Sequence, residues 1–227
     1  RNAWLRLKEL LEVELNSVTD NPIIFNAEET ISGGNFHGQP LAMALDYVSL
    51  AASELGNISD RRIYLSLEGK TEELPQLLMN NTGINSGFML PQYTSAALAS
   101  ENKSLCFPAS ADSIPTSLGQ EDHVSMGSIS GRKALQIIGN LEQILAIEIL
   151  CAAQAFDFRR PLRSSNILEE CHAYIRSQID HADADRIFAE DIQKAHKIIT
   201  DRTLTQITNS THHSPLKSSH EALFEQY

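Results

Sequence analysis

The residues of this chain best suited to acid–base or recognition chemistry are concentrated in Thr116-Ser117-Leu118-Gly119-Gln120-Glu121-Asp122-His123-Val124-Ser125-Met126. An amide, two carboxylates and an imidazole stand there side by side. Ser117 and Gln120 have the capping-box spacing, so Ser117 reads as the N-cap of a helix and Gln120 as its third residue. Glu121, Asp122 and His123 would then lie in or just after the first turn, beside unpaired backbone N–H groups. A helix N-terminus favours an ionised carboxylate and lowers its pKa, whereas burial raises it. An ionised Glu121 suits binding of a polar ring, and a raised pKa suits proton transfer. Acidic residues at helix starts also serve simply to stabilise the end, and the pattern by itself leaves both readings open.

A second stretch, Ile31-Ser32-Gly33-Gly34-Asn35-Phe36-His37-Gly38, is a loop whose glycines permit positive φ and close backbone approach. It lacks the Lys-Ser/Thr of a P-loop and the G-x-G-x-x-G order of a dinucleotide turn, so it does not read as a phosphate cradle. Phe36 is either a core residue bracing the Gly33-Gly34 turn or the wall of a pocket. His212, His213 and His220 have no acidic or cysteine partner at ligand spacing. They read as part of a solvated tail, and no metal site is expected.

The elements that must hold these stretches are helical. Trp4, Leu7, Leu11 and Leu15 line one face of a first helix, with Leu10 beside them. Asn16 to Pro22 breaks it, and Ile23-Ile24-Phe25 reads as a small strand or a buried extended run. Leu41, Ala44, Leu45, Val48, Ala51, Ala52, Leu55 and Ile58 recur at helical spacing from Pro40 to about Leu67. Asn80 to Gly87 is a polar, turn-rich loop, after which Pro91 opens a helix to about Leu105. The longest helix is expected from Gln120 to about Phe156. Its segment from Ile144 to Ala153 is apolar nearly all round, as in a helix inside a bundle. Gly127, Gly131 and Gly139 each cost about 1 kcal/mol against alanine in an exposed helix, so close helix–helix contact is their expected reason. Shorter helices follow at Ile167 to Ile179 and Glu190 to Thr200. The spacing predicts an all-α bundle of long helices over residues 1–202, with at most a minor strand near Ile23 to Phe25, and a polar tail over 203–227.

Composition narrows the function classes. Lys and Arg number 18 against 29 Asp and Glu, a net charge of −11 over 227 residues. Nucleic-acid binding lacks its electrostatic footprint, and no cationic cluster suits an anionic membrane surface. No run of about eighteen apolar residues is present, so no membrane span is expected. Cys106, Cys151 and Cys171 are odd in number, far apart and set in helical stretches, and read as buried thiols of a reducing compartment. The start at Arg1, without Met or a signal peptide, reads as a cut from a longer chain.

Four segments taken in order carry a resemblance: Ser17-Val18-Thr19-Asp20-Asn21-Pro22, Gly33-Gly34-Asn35-Phe36-His37-Gly38, Asn85-Ser86-Gly87-Phe88-Met89 and Gln120-Glu121-Asp122-His123-Val124-Ser125-Met126. From about Trp4 to Arg202 the chain resembles the later part of the aromatic amino-acid ammonia-lyases, above all the members of that family that act on histidine. The resemblance implies elimination of ammonia from L-histidine to give urocanate. It also implies a cytoplasmic homotetramer whose long helices form a central bundle and whose active sites draw on several subunits. The family's electrophile is a methylidene-imidazolone ring formed from an Ala-Ser-Gly tripeptide, which lies upstream in the family and is absent from this sequence. The tyrosine that would abstract the β-proton and the arginine that would hold the substrate carboxylate also belong to upstream segments.

By the same resemblance Phe36 falls where the family has an aromatic pocket wall. Glu121 falls where the histidine-specific members have a carboxylate facing the substrate ring, with His37 and Gln120 as pocket neighbours. Relatives acting on phenylalanine or tyrosine read Asn-Gln-Asp here, with an amide in place of Glu121, and often carry Gln at the position of His37. An imidazole offers N–H donors and can become cationic, so a carboxylate can accept from it and pair with its charge. A buried carboxylate opposite a phenyl ring would go unpaired at a cost. Glu121 is accordingly expected to read the ring first and to handle protons second. Two other readings stay open: a phenylalanine or tyrosine lyase or aminomutase on the same fold, against which Glu121 and His37 speak, and a non-catalytic helical oligomerisation module.

Overall fold

A computed structural model describes residues 1–71 and 73–211, so His212, His213 and His220 lie outside the described residues. Among the described residues the fold is all-α, with one two-stranded ribbon. The elements are α1 (Asn2–Leu15), β1 (Ile23–Ile24), β2 (Thr30–Ile31), α2 (Gln39–Leu67), α3 (Met89–Leu105), α4 (Gly127–Phe158), α5 (Asn166–Gln178), α6 (Phe188–Thr200) and α7 (Thr203–Thr211). β1 and β2 pair antiparallel, Ile23 opposite Ile31 and Ile24 opposite Thr30. The chain divides into two compact units, Arg1–Tyr64 with Pro91–Leu145, and Leu65–Leu90 with Ala146–Tyr227.

In the first unit α1 packs on α2 through Ala3, Leu7, Ala44 and Val48, with Leu10, Leu11, Leu45 and Ala51 around them. Trp4 and Leu15 of the expected apolar face stay exposed. A hydrogen-bonded chain centred on the buried amides Asn102 and Asn140 joins α2, α3 and α4. Asn140 donates to Asn102 Oδ1 at 2.9 Å and to Glu101 Oε2 at 2.6 Å, and Gln136 donates to Asn140 Oδ1 at 3.0 Å. The Ser53 hydroxyl donates to the Asn102 carbonyl at 3.4 Å. Asn102 is wholly buried, so breaking this chain would strand polar groups away from water. Close approach is built in nearby: a Cβ at Gly56 would lie 3.2 Å from Ile144 Cδ1.

In the second unit Ala146, Ile147, Leu150, Cys151 and Ala153 of α4 are buried, as the apolar segment predicts. On composition alone α4 would also pass for a membrane span. Gln154, however, donates to the carbonyls of Leu78 and Ala182 and accepts from Ala182 N–H, the bonding of a core helix. The Asn85-Ser86-Gly87-Phe88 motif has a structural task here. The Asp185 carboxylate accepts the N–H groups of Ser86 at 2.7 Å and Gly87 at 2.8 Å, while Asn85 Oδ1 accepts Asp185 N–H at 3.0 Å. Phe88 then packs on Phe188 of α6 with ring centroids 4.8 Å apart.

Three expectations are corrected. The longest helix begins at Gly127, about two turns after Gln120, because the preceding residues bond among themselves. Cys106, just past the end of α3, is only half-buried, whereas Cys151 and Cys171 are buried. Of the three α4 glycines, a Cβ at Gly127 would meet Ala42 Cβ and one at Gly131 would meet Leu45 Cδ1 at ordinary contact distance, but a Cβ at Gly139 would touch nothing within 4 Å. The polar segment from residue 203 begins with helix α7.

Gly87 has φ +55°, and a Cβ there would lie 2.5 Å from the Leu77 carbonyl oxygen. Gly87→Ala is therefore expected to destabilise the protein by about 2 kcal/mol or more in urea denaturation, from left-handed strain plus the clash. Gly34→Ala meets nothing and should stay within about 0.5 kcal/mol of the parent. Equal effects from the two would contradict this.

Candidate functional site

The Gly33–Gly38 loop is held from below. Asn21 Oδ1 accepts Gly33 N–H at 2.9 Å and the Ser32 hydroxyl at 3.1 Å, which ties the Asn21-Pro22 turn to the glycine loop. A Cβ at Gly33 would lie 3.0 Å from Ile23 Cδ1 and 3.2 Å from the Asp20 carbonyl, so a larger residue would have to push these neighbours back by a few tenths of an ångström. Asn35 reaches back to Glu14 of α1 at 3.4 Å. The loop thus presents Phe36 outward, 39% exposed, and runs into α2 with the Gly38 carbonyl accepting Ala42 N–H.

The α3–α4 connection is clasped against α2. The Gln39 amide donates to the Ser110 carbonyl at 3.0 Å, and the Asp46 carboxylate accepts Ser110 N–H at 2.8 Å. Lys133 bonds the Phe107 carbonyl. Beyond these pins the chain makes a hairpin-like excursion. Thr116 N–H donates to the Glu121 carbonyl at 2.9 Å and Glu121 N–H to the Thr116 carbonyl at 3.3 Å. Ser117, Leu118 and Gly119 turn between them at φ +53°, +58° and +90°. Ser117 therefore caps nothing, and Gln120 ends a short 3-10 turn instead of sitting in a helix. Close to the helix start that does form, the Ser125 hydroxyl accepts Gly127 N–H at 3.3 Å.

The two loops meet through imidazoles. The His37 ring lies 4.3 Å from the Phe36 ring, and His123 meets His37 edge-to-face at 4.9 Å and 84°. Ser113 Oγ and His123 Nδ1 are 3.0 Å apart. The structure accordingly brings Phe36, His37, Gln120 and Glu121 onto adjoining loops of one unit. Glu121 and Gln120 are exposed at the surface of this chain. The backbone N–H and carbonyl of Glu121 are both bound to Thr116. His123 was legible only as a member of the motif; its contact with His37 joins residues far apart in sequence, and no spacing rule reports it.

A second titratable cluster lies in the other unit and is structural. Asp157 accepts from His172 at 2.7 Å, His181 at 2.7 Å and Arg176 at 2.6 Å. Arg160 bonds Glu169 at 2.9 Å, and Glu169 also accepts Ser164 N–H at 2.8 Å. Every carboxylate here is bonded to neighbouring side chains or backbone. Among the described residues no group of His, Cys, Asp or Glu is arranged to hold a metal ion.

Comparison with known proteins bears on this geometry. The aromatic amino acid lyase family matches residues 1–177. A histidine ammonia-lyase of Natranaerobius thermophilus is 50% identical over 213 residues, covering 93% of this chain and 42% of that protein. The histidine ammonia-lyase structure from Trypanosoma cruzi is 40% identical with a TM-score of 0.86, over 96% of this chain and 45% of that one. A tyrosine aminomutase from Streptomyces globisporus is 34% identical with a TM-score of 0.88, over 96% and 42%. This chain spans about two fifths of the length of the curated relatives it matches.

The acid side of stability should follow Asp157. Burial pushes its carboxyl up, and the bonds and charge of His181, Arg176 and His172 bring it down further, to a net value below the ordinary one. A carboxyl lowered on folding contributes stability that is present above its unfolded pKa of about 4 and is lost as pH falls through the folded value. Glu169, held at about 2 by Arg160 and Ser164, acts in the same sense. Asp157→Asn should therefore lower Tm near pH 6 and flatten the decline of Tm between about pH 4 and 2. An unchanged slope in pH-resolved calorimetry would contradict this.

Proposed function

The chain belongs to the aromatic amino acid lyase family, and we propose that it is the ring-recognising portion of a histidine ammonia-lyase, which converts L-histidine to urocanate and ammonia. Glu121 accepts a hydrogen bond from the substrate imidazole and pairs with its positive charge when it is protonated. Phe36 forms an apolar wall that excludes water from that contact, with His37 and Gln120 as neighbours. The observation supporting this reading most directly is a carboxylate at 121, on a backbone clamped to Thr116, beside the loop that carries Phe36.

The energetic logic favours histidine over a phenyl substrate. A charge-assisted bond from an imidazole N–H contributes roughly 1.5–3 kcal/mol, whereas a bound phenyl ring would take water from the carboxylate and give it no partner. Sites built to bond a polar group reject analogues that lack it by factors of about 10⁴ or more. The fold itself does not discriminate, since the tyrosine aminomutase matches it as closely as the histidine ammonia-lyase structure does. Substrate choice therefore rests on a few side chains, and Glu121 with His37 sets this chain apart from the pattern of the phenylalanine and tyrosine enzymes.

The methylidene-imidazolone electrophile of the family has no source here, because the sequence holds no Ala-Ser-Gly. The steps assigned to this chain are accordingly those of binding and orienting the ring, and the isolated chain forms no urocanate. The full-length protein is proposed as a cytoplasmic homotetramer of histidine catabolism. Exposed Met43, Tyr47 and Leu50 on α2 supply apolar surface of the kind a subunit contact covers.

In the full-length protein, Glu121→Gln should lower kcat/KM for histidine by well over threefold; a smaller change, under about 0.7 kcal/mol of transition-state stabilisation, would sink its role. Phe36→Ala should lower kcat/KM about tenfold or more while costing less than about 1 kcal/mol in urea denaturation, since Phe36 is far from fully buried. Equal losses of turnover and stability would make Phe36 a core residue instead.

A further inference from the structure

We propose that His37 and His123 are paired positioning residues, and that their edge-to-face contact sets the placement of Phe36 relative to Glu121. This role rests on the histidine-lyase reading and adds to it how the two recognition elements are kept in mutual register.

The two elements belong to segments that are separately anchored. Phe36 sits on the glycine loop, which is fixed by Asn21 and by the start of α2. Glu121 sits in the hairpin-like excursion, fixed by Thr116. Both are tied to the start of α2, the loop through Gly38 and the base of the excursion through Ser110, but none of these bonds reaches the tips that carry Phe36 and Glu121. His123 leaves the excursion two residues after Glu121, and His37 leaves the loop one residue after Phe36. Their rings meet at 4.9 Å and 84°, an arrangement in which the positive edge of one ring faces the negative face of the other. His37 in turn rests on Phe36 at 4.3 Å.

The outer end of this series is also held. Ser113 Oγ lies 3.0 Å from His123 Nδ1, on the opposite arm of the excursion. That bond resists rotation of the imidazole about χ2, so the angle between the two rings is held. A benzene ring at 123 could reproduce the edge-to-face contact but not the tie to Ser113. A substrate pocket gains from such ordering because misplacement by about 1 Å can cost a hundredfold in rate.

The test uses the full-length protein. His123→Ala should lower kcat/KM for histidine about tenfold with little change in Tm, and His123→Phe should recover most of that loss. In a Glu121→Gln background the same His123→Ala change should cost less than about threefold, because the group it positions is already gone. A full tenfold loss in both backgrounds would make His123 a structural residue and overturn the proposal. Crystal structures read the pairing without any reaction: in His123→Ala the Phe36 ring should move or lose order relative to Glu121, and an unmoved Phe36 overturns the pairing. Should His123→Ala fail to fold, Ser113→Ala keeps both rings and is expected to give the same effects at smaller size; full wild-type kcat/KM and an unmoved Phe36 in that variant count against the proposal. If the wild-type protein makes no urocanate, the functional reading falls and the positioning role with it, while the crystal comparison still decides whether the rings hold Phe36.

Discussion

The backbone pairing of Thr116 with Glu121 is the constraint on which the candidate site depends. It takes up the main-chain donor and acceptor of Glu121, so the peptide is satisfied locally while the side chain stands exposed. It also sets where α4 can begin. Residues 116–121 close on themselves through left-handed backbone at Ser117 and Leu118, and helix starts only at Gly127. A carboxylate inside a helix would turn with the helix; this one is mounted on a closed excursion whose base is pinned at Phe107 and Ser110.

The mount extends downward into the first unit. Asp46 and Gln39 hold the Ser110 peptide against α2, and Asn140 with Asn102 and Glu101 holds α4 to α3. Buried amide chains of this kind tolerate little displacement, because each unmade bond leaves a desolvated polar group. The rigidity they confer reaches the loops through short connections and through close glycine contacts such as Gly33 against Asp20 and Ile23. Recognition of a ring thus relies on a backbone built for fixed loop geometry, while the choice between rings is left to the side chains at the surface of those loops.

Much of this was legible in the sequence, and the failures are local. Apolar spacing located α2 and α3 to within two residues at each end, because long amphipathic periodicity averages over many positions. The Ile144 to Ala153 run announced a buried helix, and most of its residues are buried. The start of α4 was misread because Ser117 and Gln120 satisfy a capping-box spacing that reports only four residues, whereas the actual path is decided by pairing across a turn. Membership of the family was legible in four motifs, and the structure gives several of them structural tasks: Asn21 braces the glycine loop, and Asn85 to Phe88 is clipped by Asp185. What no spacing could reveal is the meeting of His37 with His123. That contact is tertiary, between residues whose types would suit a surface equally well.

The central claim, that Glu121 reads an imidazole, is tested most directly by the structure of the full-length protein with urocanate bound. The account predicts a Glu121 carboxylate oxygen within about 2.6–3.2 Å of an imidazole nitrogen, with Phe36 against the ring face. A urocanate whose ring nitrogens bond elsewhere, with the Glu121 carboxylate turned to solvent, would contradict it.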